Sequence, residues 1–375
     1  MTFRLAGRDG GARAGVLATA HGEVPTPVFM PVATAGSVRT LSPDELQEAG
    51  ATCLIANSWS LMVRPGVEHI ERAGGLHAFM RWPRALFTDS GGFQTIKKGI
   101  LVRRSDEGLT FKSPTTGQVD MLTPESVMDV QSRLGADVAM VLDDCPPAGA
   151  PRDAVEVATA RTAAWARRCL DSQGRRGQLL FAITQGGTYA DLRERSTREL
   201  VDMGFDGYGI GGLMIGEPVE DMRRTIEGSI GLLPDGRARY LMGVGSPGEV
   251  LDAIAMGVDV FDSAFPTRGG RHGSVLTRAG RYDITRGAMG RDARPLDPGC
   301  RCRVCAGFDR AYVHHLWRSN DPRWMHLVSY HNVALMQELV RGAREAVLAG
   351  RFGAFREEWS RAGTAGRVSR VGRAP

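Results

Sequence analysis

Short apolar runs alternate with amphipathic stretches along almost the whole chain. The runs with the length and composition of buried strands are Val28–Val32, Cys53–Asn57, Leu86–Asp89, Val138–Asp143, Leu179–Gln185, Gly207–Gly212, Arg239–Gly243 and Val258–Asp262. Between them the pattern is helical, with legible starts. Ser42-Pro43-Asp44-Glu45 and Ser246-Pro247-Gly248-Glu249 place Ser at the N-cap, Pro in the first turn and Glu three residues on, which predicts capping boxes. Thr123-Pro124-Glu125 opens another helix in the same way, and Val155, Ala158, Trp165 and Cys169 recur at the spacing of one buried helical face. Repeated strand–helix units imply a parallel sheet, and eight of them imply an α/β fold closed as a (β/α)8 TIM barrel. An open doubly wound sheet is the alternative, but no GxGxxG follows the first strand.

Two regions interrupt the repeat. Gly99–Met121 alternates around a Thr-Gly turn and predicts a β-hairpin inserted after the third strand. Arg268–Asp309 follows the eighth strand, then a long helix is expected over Trp324–Val340, and a basic, Gly-containing tail runs from Arg361. The expected division is a barrel with an N-terminal cap over 1–267, an Arg-rich metal-binding subdomain with closing helices over 268–350, and a basic tail over 351–375.

Composition changes this picture little, since 42% hydrophobic and 24% charged residues are ordinary for a globular chain. The length of 375 residues suits one elaborated barrel. No apolar run is long enough to span a membrane and the start lacks a signal-peptide core, so a cytoplasmic setting with no membrane partner is expected. Charge says more once it is located. The net charge is +5, yet ten arginines and four aspartates between Arg268 and Arg310 give that segment +6 by themselves. Clustered arginine is the electrostatic footprint of a nucleic-acid partner. Three of the six cysteines, Cys300, Cys302 and Cys305, form a knot of metal-ligand spacing, whereas Cys53, Cys145 and Cys169 are scattered among apolar residues.

Active sites of such barrels lie at the carboxyl ends of the strands, where Asp89, Asp143, Gln185, Gly212, Gly243 and Asp262 stand. Glycine pairs there (Gly91-Gly92, Gly186-Gly187, Gly211-Gly212) let a flat ligand approach the backbone. In Val258–Arg271 a carboxylate ends a strand and is followed by Pro266, Arg268 and Arg271 among glycines. A nucleophile or base beside a phosphate-bearing substrate fits that pattern.

With these residues assembled, the chain resembles the bacterial-type tRNA-guanine transglycosylases. The resemblance is carried by Thr88-Asp89-Ser90-Gly91-Gly92-Phe93-Gln94, Leu142-Asp143-Asp144-Cys145, Gln185-Gly186-Gly187, Gly211-Gly212-Leu213 and Tyr240-Leu241-Met242-Gly243-Val244-Gly245. Phe261-Asp262 with Pro266-Thr267-Arg268 and the cysteine knot complete it. It implies exchange of the wobble guanine in a tRNA anticodon loop for a 7-deazaguanine base, in queuosine biosynthesis. By this resemblance Asp262 is the nucleophile that holds the ribose covalently, and Asp89 is the general acid/base. Asp143 suits the amidine donors of the purine, and Gln185 with the backbone N–H of Gly212 suits its carbonyl. Ser90, Gly91, Gly92 and Leu213 complete the base site, and Phe93 either stacks on the ring or is a core residue. RNA contacts are expected from Gly243, Val244, Gly245, Ser246, Pro247, Gly248 and Glu249, and from Thr267, Arg268, Gly269, Gly270 and Arg271.

Cys300, Cys302 and Cys305 plus one histidine predict a single closed, structural Zn2+ site. Spacing leaves His314, His315, His326 and His331 open as the fourth ligand, and the resemblance points to His331 in Tyr330-His331-Asn332. Cys145 reads as pocket wall. A homodimer is implied, with Phe308, Tyr312 and His315 at its interface.

The chain departs from the family at Asp144, Met214 and Ile215. Ile215 and Cys145 fill space that queuine would need, which predicts the smaller 7-aminomethyl-7-deazaguanine, its ammonium met by Glu217. The alternatives are a queuine-using member of the family, a barrel hydrolase of glycosides or nucleosides, and a non-catalytic RNA-binding subunit.

Overall fold

Strands β1 (Val28–Ala33), β2 (Cys53–Asn57), β3 (Ala85–Asp89), β4 (Val138–Met140), β5 (Leu179–Thr184), β6 (Gly207–Ile210), β7 (Ala238–Leu241) and β8 (Val260–Ser263) close into a barrel. All neighbours are parallel, and β8 pairs β1 to seal the ring. This computed structural model describes residues 2–95, 99–147, 149–174, 177–213 and 219–365. Every expected strand is present. β4 ends three residues earlier than its apolar run, because 141–146 stay buried without joining a ladder.

The barrel interior is filled by side chains such as Phe87, Phe181 and Tyr240, fully buried, with Phe87 in ring contact with the other two. Helices cover the outside. Val155, Ala158, Trp165 and Cys169 form the buried face of the helix Arg152–Asp171, as their spacing predicts. Ser42 makes its capping box with Glu45, and Thr123 makes one with Ser126. Ser246 does not, because its hydroxyl donates to the Glu249 carboxylate at 2.6 Å instead of accepting a backbone N–H.

An antiparallel sheet of Phe3–Asp9, Ala12–Thr19 and Gly22–Thr26 closes the amino-terminal mouth of the barrel. Its Arg13 lies 3.4 Å from Asp259, just before β8, and its His21 N–H donates to Asp137, just before β4, at 3.0 Å. With that end plugged, the opposite rim is the open one.

The expected hairpin after β3 carries a third strand, giving a sheet of Leu101–Arg104, Leu109–Lys112 and Val119–Leu122. Asp144 ties it to the barrel through Arg104 (3.1 Å) and Arg161 (2.6 Å). After β8 come the helix Phe265–Arg271, the hairpin Ser274–Thr277/Gly280–Asp283, and the helices Arg303–Gly307, Arg310–Arg318 and Arg323–Leu348. The last of these extends the predicted Trp324–Val340 at both ends. The tail expected over 351–375 begins instead with a helix, Phe352–Ala365, whose Phe352 and Trp359 are buried against the core; residues beyond 365 lie outside those described. No described helix is long and apolar enough to cross a membrane.

Candidate active site

The carboxyl rim gathers its acids from strands far apart in sequence. Asp89 ends β3, paired with Asn57 at the end of β2, and Asn57 Nδ2 donates to its carboxylate at 2.6 Å. The same asparagine caps the following helix, its Oδ1 accepting from Ser60 N–H at 2.7 Å, so its amide orientation is set from both sides. Burial pushes the Asp89 carboxyl up to about 7; the Asn57 amide opposes the shift and the charge of Asp262 adds to it. Asp89 and Asp262 stand at the same rim, three strands apart in the ring, near enough for the charge of Asp262 to act on Asp89.

Asp262 lies in β8 and accepts from Tyr240 Oη at 2.7 Å and from the Gly243 N–H at 2.8 Å. Burial raises its pKa, and these two donors hold the rise down. Tyr240 is itself pushed well above the usual phenol value, first by burial and then by Asp262, so it remains a donor.

Asp143 follows β4 and is paired with Gln185, after β5, through Nε2–H···Oδ2 at 2.6 Å. Burial pushes its carboxyl up to about 6, against the Gln185 amide and with help from the Asp144 charge. Gln185 Oε1 is buried with no hydrogen-bond partner among the described residues. A planar ligand with N–H donors on one edge meets acceptors here at two heights, a carboxylate oxygen and an amide oxygen.

Two glycines are required by this crowding. Gly91 has φ +80°, and a Cβ there would lie 2.1 Å from Trp59 Cβ; Gly212 has φ +67°, and a Cβ there would lie 2.4 Å from Gln185 Oε1. Ser90 and Leu213 are buried beside them. Phe93 is 47% exposed, which excludes the core reading. Cys145 is buried, and burial pushes its thiol up to about 12, so it is a wall and not a nucleophile. Asp144, one of the positions at which the chain departs from the family, is engaged with Arg104 and Arg161. Met214, Ile215 and Glu217 lie outside the described residues.

Beside Asp262 a cleft of about 690 Å³ opens, lined by Gly243, Gly245, Ser246, Pro247, Gly248, Glu249, Ser263, Arg268, Arg278 and Arg281, among others. Most of the 243–249 stretch, whose last three residues open the helix Pro247–Met256 instead of extending a loop, thus lines one cleft with Arg268. Val244 is fully buried, so its side chain faces no ligand. The stretch expected as a Gly-rich loop is the helix Phe265–Arg271: Thr267 and Gly270 are buried, Arg268 is exposed and Arg271 half-buried. Arg271 Nη1 has no hydrogen-bond partner among the described residues, and Arg39, from the loop after β1, adds its charge to those of Arg268 and Arg271.

The four donors of Cys300, Cys302, Cys305 and His331 lie within 4.8 Å of one another. His331 Nε2 is 2.7 Å from the Leu276 carbonyl, which fixes its proton there and leaves Nδ1 facing the sulfurs, 3.3 Å from Cys305 and 3.6 Å from Cys302. Ligating histidines are oriented in this way, and the set fits one metal ion. His326 is instead paired with Glu45, and His314 with the Ile284 carbonyl.

Asn57, Tyr240 and Arg193 have no role in the sequence reading. Asn57 and Tyr240 stand in or beside the quoted segments, and only the barrel's closure shows what they touch.

Residues 9–365 match the family model described as queuine tRNA-ribosyltransferase. Proteins of that name from Nitratidesulfovibrio vulgaris and Geobacillus kaustophilus are each 45% identical to the chain, over 360 and 353 residues. Coverage is 96% of both chains in the first case, and 94% of this chain and 93% of the relative in the second. The Desulforudis audaxviator protein of the same name is 47% identical over 349 residues, 93% of this chain and 94% of its own.

Proposed function

The chain belongs to the queuine tRNA-ribosyltransferase family, and from that premise we propose that it exchanges the wobble guanine of a tRNA anticodon loop for a 7-deazaguanine base by double displacement. As a pentosyltransferase it must break one C1′–N9 bond and form another without cutting the RNA backbone. Asp262, ionised and steered by Tyr240 and Gly243, attacks C1′ of the ribose. The C1′–N9 electron pair leaves with guanine, whose N9 takes the proton that Asp89 holds near neutrality. The ribosyl ester on Asp262 then meets the incoming base. Its N9–H gives its proton back to Asp89, N9 attacks C1′, and Asp262 departs as carboxylate.

In this reading Asp143 takes the amidine donors of the purine. Gln185, expected on the carbonyl, gives its Nε2–H to Asp143 and offers Oε1 to the same edge, so the carbonyl is left to the Gly212 N–H. Ser90, Gly91, Gly92 and Leu213 form the walls, with Phe93 exposed for stacking. The target nucleoside leaves its stack to enter, and the 243–249 stretch with Arg268 and, beside it, Arg271 holds neighbouring nucleotides. The incoming base in this reading is 7-aminomethyl-7-deazaguanine, with Glu217 on its ammonium. Zinc is the ion we assign to the Cys3His set, where it would brace the Arg-bearing subdomain and take no part in chemistry. Phe308 and Tyr312, stacked at 5.3 Å and both exposed beside a cleft of about 320 Å³, with exposed His315, are the surface we assign to a homodimer. Its setting is the cytoplasm, where tRNA is.

The observation that carries this reading is the pair of acids at one rim: Asp89, buried with its pKa raised to about 7 and under the charge of Asp262, and Asp262, held by Tyr240 and Gly243. The test is radiolabelled guanine exchange into tRNA, with capture of RNA on denatured protein. Asp262→Ala is expected to abolish both while tRNA binding persists; full turnover by that variant would remove Asp262 from the mechanism.

A further inference from the structure

Arg193 belongs to the helix Ala190–Met203 after β5, yet its side chain turns inward and the residue is only 2% exposed. Its Nε donates to the Gly187 carbonyl at 2.8 Å, Nη1 to that of Thr184 at 3.0 Å and Nη2 to that of Gly211 at 2.6 Å. A guanidinium carries its donors in one rigid plane, so binding three carbonyls at once fixes two loops relative to each other. These are the loops after β5 and β6, which bring Gln185 and Gly212 to the rim.

The orientation matters because a peptide unit is planar and trans, with its C=O and N–H pointing opposite ways. Holding the Gly211 carbonyl against Arg193 turns the Gly212 N–H, in the same unit, away from the guanidinium. The Thr184 carbonyl shares its unit with the Gln185 N–H, which donates to Ser196 Oγ at 3.0 Å, so that unit is clamped at both ends. A cation on the carbonyl side also polarises the unit and strengthens the N–H opposite.

We propose that Arg193 is the positioning residue of the base site: it aims the Gly212 N–H at the 6-oxo group of the bound purine and so sets the preference for a 6-oxo base. The proposal rests on the base-exchange reading above. It touches neither substrate nor reacting atoms, and acts through the backbone of its neighbours.

The test compares equilibrium binding of guanine and 6-thioguanine, which differ only in the acceptor at position 6, to the wild-type protein and to Arg193→Met. A thiocarbonyl is the weaker acceptor, so the wild type is expected to prefer guanine. In Arg193→Met that preference is expected to shrink by about three- to tenfold, the worth of one oriented hydrogen bond. Arg193→Lys, which cannot hold all three carbonyls, should fall between them, and it carries the measurement if the methionine variant does not fold. A variant that binds both bases more weakly in the same ratio, or that keeps both affinities, overturns the role of Arg193. A wild-type protein that binds neither base removes the base-exchange reading itself.

Discussion

At Asp89 the chain sets a carboxyl where burial works against its charge, and the Asn57 amide and the opposing Asp262 tune the outcome to about 7. A group that passes a proton to and from a purine nitrogen is most effective when it titrates near the working pH. The same shift has a consequence for stability, whose sign follows from linkage. The unfolded carboxyl loses its proton near 3.8, the folded one near 7. Its contribution is therefore fully present below about pH 4 and is lost as pH rises through 7. Asp89→Asn keeps an oxygen for the Asn57 amide and does not ionise. Relative to wild type, the variant should gain stability from pH 5 to about pH 7 and level off above it, read as a difference in urea midpoints that grows and then holds. Its exchange activity should be near zero throughout, while the wild-type rate falls along a limb as pH rises through about 7, where Asp89 loses the proton that guanine must take. A midpoint difference that does not move with pH would mean that Asp89 is not the titrating group.

The helix Phe265–Arg271 shows how an element can be misread from composition. Pro266 and the pair Gly269-Gly270 suggest a loop, and glycine inside a helix costs about 1 kcal/mol relative to alanine. Pro266 is harmless in the first turn, where its missing N–H has no partner to lose. Gly270 is there for contact: a Cβ would lie 2.8 Å from the backbone N and Cα of Ser329 on the helix Arg323–Leu348. Asn332 on that helix fastens the junction, donating to the Pro266 and Ser274 carbonyls and accepting from the Leu276 N–H. Gly270→Ala should therefore destabilise the protein by about 1–3 kcal/mol despite its better helix propensity. Gly269→Ala, whose Cβ would meet Ser274 Cβ at an ordinary 3.4 Å, should be neutral or stabilising. Denaturant midpoints of the two variants check this directly. The barrel strands were legible because each fills a core with an unbroken apolar run. Leu101–Arg104 was not read as a strand because its Val102 is 56% exposed and its arginines carry no alternation toward a core. The rim acids were legible because chemistry collects at strand ends. Asn57, Tyr240 and Arg193 were not, since each acts on a partner 6 to 32 residues away that only the closed barrel brings near.

For the molecule as a whole, the arginine-rich segment divides into structural and free charge. Arg278 pairs with Glu338, Arg294 and Arg310 with Asp292, and Arg303 with Glu45 and Glu48, so these brace the subdomain that also holds the Cys3His set. Arg268 and Arg271 have no acidic partner among the described residues and stand on the helix that follows Asp262. A run of charge in sequence therefore overstates the surface left for RNA. Each cation that neutralises a phosphate releases bound counterions, and its removal lowers the slope of log affinity against log salt by about 0.7–1. Arg271→Ala should weaken tRNA binding and lower that slope by about one, without changing the affinity for free guanine. Arg294→Ala, which removes an exposed arginine already neutralised by Asp292, should leave both slope and affinity as they are. Titrations at several salt concentrations read both quantities. Equal slopes for the two variants would show that the ion pairs seen at 292–310 do not decide which arginines meet the RNA.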